Sequence, residues 1–180
     1  VAVHYTKTAK SLHWLMAILI FGLLALGLYM TGLPLSPEKL QIYSWHKWAG
    51  VTAFLLLAVR LVWRFTHRPP ELPASMPKPM QWAAHGGHLV LYLLMIAIPL
   101  TGWLMSSAKG FQTVYFGVLP IPDLLAKDKE LGKLLADVHA YLNYFLIAVL
   151  VGHIGAALKH HFIDRDDILT RILPRHAKEN

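Results

Sequence analysis

The sequence predicts an all-α membrane protein built as a four-helix transmembrane bundle. Three observations predict it. Of 180 residues, 56% are hydrophobic and only 15% charged, with a mean hydropathy of +0.45, whereas a soluble domain of this length carries more charge. Four apolar runs, each near the roughly 20 residues that a helix needs to cross a bilayer, alternate with polar or proline-rich connectors. Six of the 11 histidines, His13, His46, His85, His88, His139 and His153, lie in or at the edges of those runs.

The first span is predicted over residues 12–30, preceded by Lys7 and Lys10. Its apolar stretch is longer than the core of a signal peptide and no convincing small-residue cleavage site follows, so it is expected to be a retained helix. TGLPLSPEK then turns the chain, with Pro34 and Pro37 unable to continue a helix. The second span is predicted over 42–63 and ends in a basic ladder of Arg60, Arg64 and Arg68. RPPELPASMPKP is too rich in proline to be anything but a connector. The third span, 82–105, contains Pro99, which predicts a kink. A longer loop of mixed charge follows, and the fourth span is predicted over 135–162. No soluble second domain is expected in what remains, so the chain reads as one transmembrane domain over 1–180.

Four spans put both termini on one side. With the termini cytoplasmic, that side holds eleven of the 17 basic residues, Arg175 and Lys178 among them, against six on the other. The bias predicts N-in, C-in. Trp14, Trp45, Trp48, Trp82 and Trp103 near the span edges agree with interfacial anchoring. The formal charge of +7 accordingly reports attraction to an anionic leaflet of the lipid bilayer rather than to nucleic acid.

The fourth span carries the chemistry. In DVHAYLNYFLIAVLVGHIGAALKHHF, His139 and His153 are fourteen residues apart. At about 100° per residue both leave the same side of the helix, and at about 1.5 Å per residue they stand roughly 21 Å apart. An ionisable residue within a span costs a few kcal/mol unless paired or liganded. Two on one stripe, one near each leaflet, predict two stacked metal centres. Gly152, Gly155, Ala156 and Ala157 beside the second leave room for something flat, which points to haem. The chain has no cysteine, excluding disulfides, iron–sulfur clusters and covalent c-type attachment, so any haem is non-covalent. Depth pairs His46 with His139 near the outer face. For His153, depth leaves His13, His85 and His88 as candidates, His88 matching slightly better by residue counting.

SLHWLM, SWHKWAG, AHGGHLVLYLLMIAIPLTGW, DVHAYLNYF and GHIGAALKHHF, in that order, resemble the bacterial cytochrome b561 family over nearly the whole chain. The resemblance implies a four-helix protein of the bacterial inner membrane with two b-type haems. It implies that His13 and His153 ligate the inner haem and His46 and His139 the outer one. His85, His88, His160 and His161 match recurrent histidines that are not the usual iron ligands.

Bis-histidine ligation fills both axial positions of iron and leaves one-electron transfer as the available chemistry. Gly50, one turn from His46, is a candidate to admit a porphyrin edge, with small-residue helix packing as the simpler role. Arg60 and Arg64 are candidates for haem propionates, or for anchors reaching the interface. Lys159, His160 and His161, with His88, are candidates to donate hydrogen bonds and protons to a membrane quinone, although cations at a helix C-terminus are favoured in any case. The resemblance further implies oxidation of superoxide at the periplasmic face and reduction of ubiquinone, with Lys109 as the candidate cation that draws the anion in. The alternative is an electron-relay subunit serving a partner dehydrogenase or hydrogenase, for which the long outer loop offers a docking surface to a redox protein. Oligomeric state is not legible.

Overall fold

The computed structural model describes residues 4–174, so Arg175 and Lys178 of the basic tally, and His176, lie outside the described residues. Four long helices dominate it: α1 (Lys7–Thr31), α2 (Pro37–Thr66), α3 (Lys78–Ala108) and α4 (Lys129–Lys159). All four are long and apolar enough to span a membrane. They extend beyond the apolar runs, and three of them, α1, α2 and α4, start at polar caps. Thr6 accepts from the Ala9 amide, Ser36 from Lys39 and Asp128 from Leu131, each satisfying an amide that the first helical turn leaves unpaired. Pro37, expected to break the chain, instead starts α2. In the first turn its missing N–H costs nothing and its fixed φ suits the helix. Helix α3 likewise continues through Pro99.

The helices pack mainly as two hairpins, α1 on α2 and α3 on α4, with sparser contact between α2 and α3. Among the described residues few apolar side chains of the four helices are buried: Leu12, Met16, Met30, Ile42, Leu57, Leu94, Ala108 and Leu146. Many other apolar side chains are exposed, as hydrocarbon permits, and what the hairpins enclose is the cavity described below.

The connector after α3 is more ordered than its composition predicts. Two short strands, β1 (Val114–Tyr115) and β2 (Leu119–Pro120), pair antiparallel with Val114 opposite Pro120 and Tyr115 opposite Leu119. Phe116 and Gly117 at its tip both have positive φ, 49° and 72°, the turn that matches the twist of a tight hairpin. The hairpin is tied to α2. Trp48 Nε1 donates to the Val114 carbonyl at 2.6 Å, and Thr52 Oγ1 lies 2.8 Å from the Tyr115 hydroxyl.

The other end is closed by the chain after α4. A single π-helical turn (His160–Asp164) leads to a short α5 (Ile168–Ile172), which the sequence reading treats as polar tail. Trp14 Nε1 donates to Ile172 O at 3.0 Å and Lys10 Nζ to Leu173 O at 3.0 Å, holding this segment against the start of α1. Arg171 pairs with Asp167 at 2.8 Å, and its guanidinium holds the Asp167 carboxyl below its ordinary value. Trp14, Trp48 and Trp103, the last bonded to Pro122 O, therefore fasten connectors to spans as well as marking span edges.

Candidate haem sites

Near the start of α4, His139 points toward α3. Its Nδ1 lies 3.0 Å from the Ile98 carbonyl and 3.2 Å from Thr101 Oγ1. A carbonyl can only accept, so Nδ1 carries the proton and Nε2 is left free as a ligand. The ring lies against Gly102, where a Cβ would stand 3.2 Å from Cε1. His46, near the start of α2, is placed the same way against α1. A Cβ at Gly27 would stand 3.3 Å from its Cε1. The His46 Nδ1 is buried with no hydrogen-bond partner, a costly arrangement for a polar atom without a further role.

His46 and His139 both line one cavity between the hairpins. Gly50 and Ala53 of α2, Met95, Ile98 and Pro99 of α3, and Asn143 and Leu146 of α4 form much of the rest. A Cβ at Gly50 would meet nothing within 4 Å, so the absence of a side chain there leaves space rather than close helix packing. Two imidazoles, apolar walls and glycine-cleared faces fit a flat, apolar, iron-bearing group held by nitrogen.

At the opposite ends of the helices a second histidine set converges. The His13 ring centre lies 6.3 Å from that of His153, and the His88 ring centre 5.6 Å from the same partner. Two imidazoles on opposite sides of one metal, bonded at about 2 Å each, have centres roughly 6 Å apart. Two of the three candidates for His153, His13 and His88, are thus brought to it, while the third, His85, is exposed.

Arg60 turns into this set. Its Nη2 is 3.3 Å from His13 Nδ1, its Nε donates to the Tyr92 hydroxyl at 3.1 Å, and its Nη1 approaches Met16 Sδ at 4.0 Å. Arg64 lies over the Tyr92 ring, 5.6 Å from its centre. Of the two roles open to Arg60, this inward placement is the one compatible with a haem substituent.

Lys159 and His160 are engaged elsewhere. Lys159 Nζ pairs with Asp164 at 2.6 Å. The buried His160 places Nδ1 2.6 Å from Asp166 and 3.2 Å from Asp164. His88 faces His153, whereas Lys159 and His160 face these carboxylates, which the sequence reading did not single out. Lys109 ends α3 at the other face, exposed, its stem packed on Gly132 of α4. Tyr92, Thr101, Gly27 and Gly102 were also missed. Matching depths along antiparallel helices was the available signal for the two glycines.

Comparison with known proteins shows the family. The family model described as prokaryotic cytochrome b561 matches residues 4–175. Cytochrome b561 homolog 2 of Escherichia coli (strain K12) is 36% identical over 97% of this chain and 94% of its own length. Cytochrome b561 homolog 1 of the same organism is 33% identical, covering 95% and 97%. A Yersinia pestis protein named probable superoxide oxidase CybB is 28% identical, covering 95% and 96%. The family is one of transmembrane electron transfer, and it implies b-type haem and a multi-pass place in a bacterial membrane. With its four spanning helices and its two histidine sets, this chain belongs to the prokaryotic cytochrome b561 family.

Proposed function

We propose that this chain carries electrons across the bacterial inner membrane on two b-type haems, from superoxide at the periplasmic face to ubiquinone near the cytoplasmic face. His46 and His139 hold the outer haem, His13 and His153 the inner one, within a single transmembrane domain whose termini are both cytoplasmic. The observation that carries this reading is that two histidine sets occupy opposite ends of the same four helices, with α4 serving both. Held by two histidines each, the haems would supply one-electron transfer.

The chain's own residues do the remaining work. The Ile98 carbonyl and Thr101 orient His139, and Gly27, Gly50 and Gly102 clear the faces beside the outer ligands. Arg60 and Arg64 put positive charge at the inner set, where acidic haem substituents are best accommodated. Lys109 raises the encounter rate with a small anion at the outer face. Lys159 and His160, held by Asp164 and Asp166, offer N–H groups at the inner edge for a quinone carbonyl. Two superoxide anions become two molecules of dioxygen, and their two electrons with two protons reduce one ubiquinone to its quinol.

The name of the Yersinia pestis relative supports superoxide as donor. Stopped-flow haem reduction by superoxide, with and without superoxide dismutase, tests it on the purified single chain. Fast reduction that dismutase abolishes is expected; reduction no faster without dismutase than with it removes the superoxide step. One observation favours the second reading, a relay subunit serving a partner dehydrogenase or hydrogenase. The outer hairpin and its approach expose Phe111, Phe116, Val118 and Leu119, Val118 at 84%, an apolar surface suited to a redox partner. Isolation only in complex with such a partner decides for that reading.

A further inference from the structure

We infer that the β-hairpin between α3 and α4 is a membrane-surface element. It lies in the lipid of the leaflet on the His46 side, with Phe116, Val118 and Leu119 at the boundary between headgroups and acyl chains. This rests on the chain spanning a membrane, and not on any haem, electron donor or acceptor. Helix α3 ends at Ala108 and α4 starts at Lys129, yet the segment between them folds back along the bundle instead of standing off its end. Lys47 Nζ donates to the Phe111 carbonyl at 2.8 Å and Trp48 Nε1 to the Val114 carbonyl at 2.6 Å, while the Tyr115 hydroxyl lies 2.8 Å from Thr52 Oγ1. The tip returns to the same place, the Phe116 ring centre lying 5.3 Å from that of Trp48. On the returning arm Trp103 Nε1 donates to Pro122 O. Trp48 and Thr52 follow His46 along α2, and at about 1.5 Å per residue they stand roughly 3 and 9 Å farther into the span. Trp103 is next to Gly102, against which His139 lies. Base and tip of the hairpin are therefore held at about the depth of His46 and His139, on helices long and apolar enough to cross a membrane.

The surface at that depth suits lipid. Between Lys109 and Asp123 the chain has no charged side chain. Phe111, Phe116, Val118 and Leu119 are all exposed, and a contiguous apolar patch marks a surface that is covered in use. The backbone, by contrast, is paired. Gly117 N donates to Val114 O and Val118 N to Tyr115 O, each at 3.1 Å, and Ile121 N to Thr113 O at 2.8 Å, as backbone close to hydrocarbon requires. An apolar exterior on a satisfied backbone lets a segment sit roughly 5–10 Å into the headgroup and acyl boundary. Water is left with the charged remainder of the connector, where Lys109, Lys127 and Lys129 are exposed. A water-soluble reactant then meets these lysines and not the hairpin tip.

The chain has no cysteine, so Val118→Cys places a single nitroxide on the hairpin of the purified full chain, reconstituted in lipid nanodiscs holding one copy each. Lys129→Cys, at the start of α4, is the water-facing reference. Power saturation reads collision with oxygen, which concentrates in hydrocarbon, and with a neutral nickel chelate, which stays in water. The oxygen-to-nickel collision ratio is expected to be severalfold higher at 118 than at 129, with haem content as in the wild type. A ratio at 118 equal to or below that at 129 overturns the inference and leaves the face to a water-soluble partner. Shielding of 118 from both reagents also overturns it, because protein and not lipid then covers the hairpin. Where Val118→Cys lowers haem content, Leu119→Cys takes its place and the same outcomes decide.

Discussion

Gly102 offers the most direct way to ask whether the outer site is built as described. A Cβ there would stand 3.2 Å from Cε1 of His139, 3.4 Å from Nδ1 and 4.0 Å from Nε2, so an added methyl meets the face of the ring. In Gly102→Ala the imidazole must give by a few tenths of an ångström, yet its Nδ1 is held 3.0 Å from Ile98 O. Stretching that bond costs up to about 1 kcal/mol, while replacing glycine by alanine within a helix returns about 0.8–1 kcal/mol. The two nearly cancel, so the thermal midpoint in detergent should move by no more than about 2–4 °C while the outer haem spectrum is perturbed. Gly102→Leu adds overpacking of about 1–3 kcal/mol, and one haem per chain should be lost. Gly22→Ala is the control, because a Cβ there meets nothing within 4 Å and Gly22 does not line the cavity, so both haems should remain. Haemochrome content, low-temperature optical spectra and thermal melts read all three. A Gly102→Leu protein with two haems and unchanged spectra would show that His139 does not lie against this glycine and would refute the proposed outer site.

Further outcomes follow from the same geometry. His13→Ala and His153→Ala should disturb one haem and His46→Ala and His139→Ala the other, with His88→Ala leaving both low-spin signals in optical and paramagnetic spectra. Loss of a signal in His88→Ala with His13→Ala intact would instead make His88 the partner of His153. Lys109→Glu should slow haem reduction by superoxide at low salt, the difference shrinking as screening shortens to about 8 Å at physiological ionic strength. At the tail, the folded Asp167 carboxyl lies below its ordinary 3.8. Its pairing with Arg171 therefore stabilises α5 fully above that pH and is lost as pH falls through the lowered value. Protection factors of residues 168–172, taken against the intrinsic exchange rate at each pH, should fall correspondingly in acid, and Asp167→Asn should abolish that fall.

The four spans are legible because hydrophobic run length is a strong signal, and the same-side placement of His139 and His153 follows from helical period alone. What was not legible shares one physical origin, contact between segments distant in sequence. Arg60 reads from sequence as either a propionate partner or an anchor, because arginine at a span's inner end usually reaches for the interface. Only the placement of Tyr92 and His13 shows that it turns inward. The hairpin at 114–120 is hidden because its turn uses Phe116 at positive φ rather than the usual asparagine or aspartate before glycine. Asp164 and Asp166 read as polar tail because the π-helical turn that folds them back onto His160 has no sequence pattern of its own. Gly27 and Gly102 look like ordinary small residues until the partner helix brings an imidazole to each.

The division into two hairpins gives the haems a structural consequence as well as a redox one. Helices α1 and α2 pack together, as do α3 and α4, while contact between the pairs is sparse. In hydrocarbon there is no hydrophobic drive to press the pairs together. In the proposed ligand sets, His46 of α2 is joined to His139 of α4, and His13 of α1 to His153 of α4, so each centre links one hairpin to the other. A ligand that binds only the assembled state stabilises it by RT ln(1 + [L]/Kd), about 4 kcal/mol at a thousandfold excess over Kd. Haem-depleted protein should accordingly lose contact between the hairpins before either hairpin unravels. Helical circular dichroism should persist while a crosslink or distance probe between α1 and α4 reports separation. Unchanged α1–α4 distances after haem removal would mean that direct helix packing, not the cofactors, holds the hairpins together.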